Sequence, residues 1–351
     1  MTQLSLSRSI QVLLFFFLLF GGLYIARAFL VPVAFGMLLA MLLLPLCKKM
    51  EQRGINRALA ALLCILLMAA VIAGVTAILS WQVSGIAEDF YNIKGRILQM
   101  IEHSEQYISQ TIGIAPNEQE QMLKQQQQNL SGHVGSQLLS TAGMVAGLLG
   151  NLLLTIVYIF LFIFYRDHLK RFVLKMVSES HKPKAEEVMH NAGKVAEQYL
   201  SGLGLMIVSL WIMYGIGFSI VGIKHALFFA VLCGILEIVP YVGNITGTSL
   251  TVLMALTQGG GSSMVIGVLV TYGLVQTFQT YVLEPLVVGS RVNINPLFTI
   301  MSIIAGEMIW GVAGMVLAIP LMGIAKIILD HIDVLKPIGF LIGSPPQKKK
   351  K

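Results

Sequence analysis

Apolar residues run in long blocks along this chain, interrupted by short basic clusters or by proline and glycine. Residues 12–25 and 29–46 are two such blocks, parted by Arg27. Lys48, Lys49, Arg53 and Arg57 follow against one acid, Glu51, and a third block, 59–80, ends beside Trp81. A membrane helix needs about 20 apolar residues, and basic loops stay in the cytoplasm. The pattern predicts three spans over 1–81, with the N-terminus cytoplasmic. Arg8, the first block and Ala26-Arg27-Ala28 imitate a secretory leader. That block outruns the usual apolar region of about 7–15 residues, so a retained helical pair is expected, with cleavage as the alternative.

Residues 82–140 change character. Ile86, Phe90, Ile93, Ile97 and Ile108 recur at helical spacing, which predicts an extracytoplasmic amphipathic insert. Residues 141–165 supply a fourth span, with Gly143 and Gly147 in a small-xxx-small pattern. Arg166, Lys170, Arg171 and Lys175 return the chain to the cytoplasm. Leu169, Phe172, Val173 and Met176 then line a helix on the inner surface, and Pro183 separates a second one, so that 166–200 form a cytoplasmic helical segment.

Residues 201–343 carry polar groups inside apolar runs. Residues 203–221 are a span and Lys224-His225 an external turn. The run 226–236 meets Glu237, Pro240 and Gly243 before 246–256 resumes. Residues 264–282 carry Gln276 and Gln279, and Glu284-Pro285 opens a linker with Arg291, Asn293, Asn295 and Pro296. As one helix, 297–329 would reach about 50 Å, against a bilayer core of about 30 Å. Gly306, Gly311, Gly314 and Pro320 offer breaks. A hairpin entering and leaving the membrane is the preferred reading, and one long, kinked helix the alternative. The basic tail, 344–351, suits a cytoplasmic C-terminus drawn to anionic lipid, unless its lysines are an expression remnant.

Composition fixes the class. Of 351 residues, 56% are hydrophobic and 12% charged, against about 25% charged in soluble domains. The fold class is all-α: a polytopic membrane protein with about eight membrane segments, some broken or re-entrant, plus amphipathic helices outside. The net charge of +7 sits in short clusters beside spans and is no nucleic-acid signal. Cys47, Cys64 and Cys233 have no disulfide or zinc spacing. GxxxxGK[ST], HExxH and GxSxG are all absent, so neither ATP hydrolysis nor these hydrolase chemistries are expected. His331 and Asp333 would give two metal ligands where about four are usual. No cofactor is expected.

The chemistry lies in the last third. A carboxylate at the bilayer centre costs about 2.5–3.5 kcal/mol, and such groups mark ion or substrate pathways. Interrupted helices with midplane polar groups point to a transporter site. Glu237, Glu307, Arg291, Glu284, Asn244 and Gln276 are the candidates for transport or ion coupling. Pro240, Gly243, Pro285, Pro296, Gly311 and Pro320 are the candidate helix breaks. Glu237 and Glu307 would bind or relay a cation and Arg291 would pair or gate. A neutral Glu237 at a simple kink, and Glu284 with Arg291 in a wet interfacial loop, are the competing readings.

Tyr199-Leu200-Ser201-Gly202, Gly222-Ile223-Lys224-His225-Ala226-Leu227 and Ile238-Val239-Pro240-Tyr241-Val242-Gly243 resemble the bacterial autoinducer-2 exporter family of permeases. So do Glu284 to Arg291, Asn295-Pro296-Leu297, and Gly306, Gly311 and Gly314 with Ala318-Ile319-Pro320-Leu321. Asn244 departs from the proline common there. The resemblance implies an inner-membrane protein, a homo-oligomer with a pentamer as first guess, and export of a small solute with possible H+ or Na+ antiport. The expected partners are membrane lipid, further copies of the chain, and a small-molecule or ion substrate. A passive oligomeric pore and a non-transporting scaffold acting through 82–140 and 166–200 are the rivals.

Overall fold

The computed structural model describes residues 6–82, 150–239, 242–288 and 293–344, and shows helices and no strand among them. The insert beyond Gln82, the Gly143/Gly147 pattern, Pro240, Arg291 and the lysine tail lie outside the described residues. Helix α1 (Leu6–Ile25) turns at Ala26 into α2 (Arg27–Glu51). Helix α1 is apolar and open along its length, with Leu13 71% and Phe17 76% exposed. In a bilayer such faces meet lipid.

Helices α3 (Arg57–Gln82) and α4 (Gly150–Phe164) pack on α2. Their shared core holds Ala40, Cys47, Cys64, Ile65, Ile159 and Ile163. Small residues on α2 and α3 let the helices close up, as expected where lipid removes the drive to bury larger apolar groups. Asn56 caps α3, its Oδ1 accepting from the Leu59 amide at 2.8 Å. After α4 the chain bends by 67° into the amphipathic α5 (Arg166–Lys175). Charges lock that corner. Arg166 grips Glu51 with two bonds of 2.7 and 2.5 Å, and Arg57 joins Asp167 at 2.5 Å while also donating to the Phe164 carbonyl. Planar guanidinium and carboxylate fit each other in this paired geometry.

Helix α6 (Lys182–Val221) has 40 residues and reaches about 60 Å, twice the hydrocarbon thickness. The expected division near residue 200 therefore falls inside one unbroken helix. Pro183 stands in its first turn, where a missing N–H costs no bond. Ala192, Ala196, Tyr199, Gly202, Met206, Leu210, Tyr214 and Phe218 form one buried stripe at steps of three and four. Everything downstream is arranged along that stripe.

Helices α7 (Ala226–Leu236) and α8 (Val242–Thr257) form a hairpin against Met206, Leu210, Tyr214 and Phe218. At about 16 and 24 Å, neither arm crosses a 30 Å core. Helix α9 (Gly261–Phe278) runs on into a π-wound stretch, Gln279–Val288. Helices α10 (Pro296–Trp310) and α11 (Val312–His331) form a second hairpin, and α12 (Lys336–Ile342) closes the described chain. The 297–329 region is thus a hairpin, turning at Gly311 with φ +63°. The arms touch through backbone: a Cβ on Gly306 would lie 2.5 Å from the Gly314 carbonyl oxygen. Among the described residues five helices are long and apolar enough to cross a membrane, six if the bent α4–α5 pair counts as one.

Candidate functional site

The two hairpins enter from opposite ends of α6. Gln258, just past α8, accepts from the Lys224 amide at 2.8 Å and donates to the Gly222 carbonyl at 2.7 Å. Both feet of the first hairpin therefore stand at the C-terminal end of α6. The second hairpin stands at the other end. Lys184, in the first turn of α6, pairs with Asp333 at 3.7 Å just beyond α11. Asn295, just before α10, donates to the Leu341 carbonyl at 2.8 Å. Asp333 also pairs with Lys336 at 2.6 Å, and these two lysines hold its carboxyl below the usual carboxylate range.

The hairpins cover successive stretches of α6. The second packs Leu317 and Trp310 around Ala196 and Leu200. The first takes over from Met206 onward. About 9 Å of helix separates Leu200 from Met206, so the two elements converge near the middle of the molecule.

The tip of the first hairpin is polar. Gly243 comes so close to the Leu236 carbonyl that no side chain fits between them. This approach brings Asn244 back beside α9, where its Nδ2 donates to Gln276 Oε1 at 2.6 Å. Three residues on, Gln279 Nε2 donates to Glu237 Oε1 at 3.0 Å. Glu237, Asn244 and Gln276 are half-buried, and Gln279 is 2% exposed. Among the described residues Gln279 Oε1 is buried without a hydrogen-bond partner. Glu284 lies within electrostatic reach of Glu237 and beside Gln279. Deeper in the hairpin, Thr251 Oγ1 donates to the Gly247 carbonyl at 2.8 Å beside Cys233.

The structure brings Glu237, Asn244 and Gln276 together, with Glu284 exposed at their edge. Glu307 stands apart from them. It is exposed on α10, one turn before Gly311, and its carbonyl accepts the Gly311 amide at 2.7 Å. Pro285 falls within the π-wound stretch, Pro296 opens α10 behind the Asn295 cap, and Pro320 is buried inside α11. Gln279, the residue that ties Glu237 to the helix beyond, stands out in the sequence as a polar group of the last third but is not one of the transport candidates. Its signal was its place one helical turn after Gln276. Apolar hollows lie elsewhere among the described residues, one of about 470 Å³ against Ile72, Leu152 and Ile156 and two more beside the hairpins. Of those two, one of about 670 Å³ is lined by Trp211, Ile216 and Leu227, and the other of about 320 Å³ by Gly306, Trp310 and Leu321. None of these hollows includes a member of the polar cluster.

Opposed, interrupted hairpins on a long central helix define a multi-pass helical membrane protein. The sequence profile of the family described as "AI-2E family transporter" matches residues 13–333, and the chain belongs to that family. Three relatives are each named "Putative transport protein". YueF of Bacillus subtilis is 26% identical over 80% of this chain and 77% of its own. MT0215 of Mycobacterium tuberculosis is 27% identical over 83% and 79%. YhhT of Escherichia coli K12 is 24% identical over 60% of each.

Proposed function

We propose that this protein is a secondary transporter of the bacterial inner membrane that exports a small solute, an autoinducer-2-like signal or another metabolite, with both termini cytoplasmic. The observation that carries this reading is the pair of hairpins approaching one region of α6 from opposite ends. Each can open toward its own side of the membrane while the other stays packed, which is the requirement for alternating access. The Glu237–Gln279 and Asn244–Gln276 contacts supply polar groups at the convergence, where lipid offers none. A carboxylate there can exchange a proton or Na+ against the solute, which makes antiport the energy source in this reading.

The test compares metabolites inside and outside cells that lack the protein, carry it, or carry Glu237→Gln. A solute that accumulates outside only with the wild-type protein supports export and identifies the cargo. Identical distributions in all three strains would reject the transporter reading.

A further inference from the structure

We infer that the sulfurs of Cys47, Met50 and Cys64 form a binding site for a soft monovalent metal ion of the copper(I) class, which clips α2 to α3 beside the turn that joins them. The inference stands apart from the transport reading and uses none of its residues.

The three sulfurs meet in the core that α2, α3 and α4 share. Met50 follows Cys47 by one helical turn, so both side chains lie on one face of α2. On α3, Cys64 follows Ala60 by one turn in the same way. The Cys64 thiol meets Met50 Sδ at 3.7 Å, and the Cys47 thiol meets the Ala60 carbonyl oxygen at 3.9 Å. That carbonyl points along α3 toward Cys64, which sets the two thiols side by side in one buried cluster. One thioether and two thiols therefore face each other across the contact between two helices.

Sulfur selects the metal. Thiolate and thioether are soft donors, which favour copper(I), an ion satisfied by two or three of them. Zinc takes about four ligands, and the carboxylates of the adjoining corner are already engaged, Glu51 by Arg166 and Asp167 by Arg57. The spacing fits as well. Two sulfurs each about 2.3 Å from one metal, at a tetrahedral to trigonal angle, stand about 3.8–4.0 Å apart. The Cys64–Met50 separation is already close to that.

Binding exchanges protons for metal. Both thiols ionise, their protons leave to solvent, and the copper(I) bis-thiolate carries one net negative charge. Lys48 and Lys49, in the last turn of α2, put positive charge beside it. Cys47 and Cys64 are closed off whereas Met50 is half-buried, so the way in passes Met50 from the turn between the helices.

The experiment is a competition under reducing, oxygen-free conditions, in which the purified full chain is titrated into the coloured copper(I)–bicinchoninate complex. Wild type should withdraw one copper(I) per chain. Cys47→Ser, Cys64→Ser and Met50→Leu should each weaken that binding by at least the roughly tenfold that a disturbed outer shell costs a metal site. Cys233→Ser, on α7 beside Thr251, should compete as wild type does. X-ray absorption at the copper edge should show sulfur neighbours only. Monodisperse elution and an unchanged helical circular-dichroism spectrum show that each variant is folded. Should a serine variant fail that check, alanine takes its place, a residue this core already holds at Ala40 and Ala61. The inference is overturned if wild type withdraws no copper(I), or withdraws it equally once Cys47 and Cys64 are both replaced. Nitrogen or oxygen neighbours in the spectrum, or a Met50→Leu chain that competes like wild type, would overturn it too.

Discussion

Gln279 Nε2 stands 3.0 Å from Glu237 Oε1, and this bond fastens the π-wound continuation of α9 to the tip of the α7–α8 hairpin. Replacing Gln279 with Leu strands that side of a half-buried carboxylate. The expected loss is about 1–3 kcal/mol, the range for an unmet buried polar group. Thermal unfolding in detergent, compared with Glu237→Gln and the double variant, measures it. A double variant as damaged as the sum of the singles would mean the two side chains do not interact.

Gly243 lies against the Leu236 carbonyl with no room for a Cβ. Gly243→Ala should therefore open the hairpin tip and cost about 1–3 kcal/mol, the range for overpacking. Gly204→Ala is the control, because no neighbouring atom lies within 4 Å of a Cβ there. The control should unfold at or above the wild-type temperature, since alanine favours a helix by about 1 kcal/mol over glycine.

The Arg166–Glu51 pair links the end of α2 to the α4–α5 corner, with side chains 17% and 22% exposed. Such partial burial and two-pronged geometry place its coupling above that of surface pairs, at about 1–2 kcal/mol. A double-mutant cycle with Arg166→Met and Glu51→Gln reads that coupling. A value indistinguishable from zero would mean that the corner is held by apolar packing alone.

Asp333 carries the pH dependence at the foot of the second hairpin. Lys336 and Lys184 hold its carboxyl below the ordinary value of 3.8. A depressed folded-state value makes the stabilisation complete above the unfolded value and removes it as pH falls through the folded one. Asp333→Asn should thus lower the unfolding temperature slightly at pH 7. The difference should shrink below pH 3.8 and vanish once Asp333 is protonated in the folded state too. Unfolding scans from pH 7 to pH 2 check the sign.

Much of the architecture was legible in the sequence because lipid imposes length and composition on every span. Gly243 and Gly311 stand out for a backbone reason: Gly243, in the first turn of α8, needs space beside the Leu236 carbonyl, and Gly311, between α10 and α11, takes a positive φ. The facing of polar groups was less so. Glu237 and Glu307 both sit in apolar runs, yet one is half-buried against Gln279 and the other is exposed. In a membrane protein apolar neighbours line both the core and the lipid face, so flanking hydrophobicity cannot separate the two. The continuity of α6 through Ser201 and Gly202 was hidden because its amphipathic start and greasy end read as different elements. The Arg166–Glu51 pair, 115 residues apart, had no local trace at all.

Helix α6 is longer than the bilayer is thick, and its stripe carries both hairpins. The two hairpins therefore share one seat, and in the transport cycle proposed above a change at either face of the membrane would reach the other through that common helix.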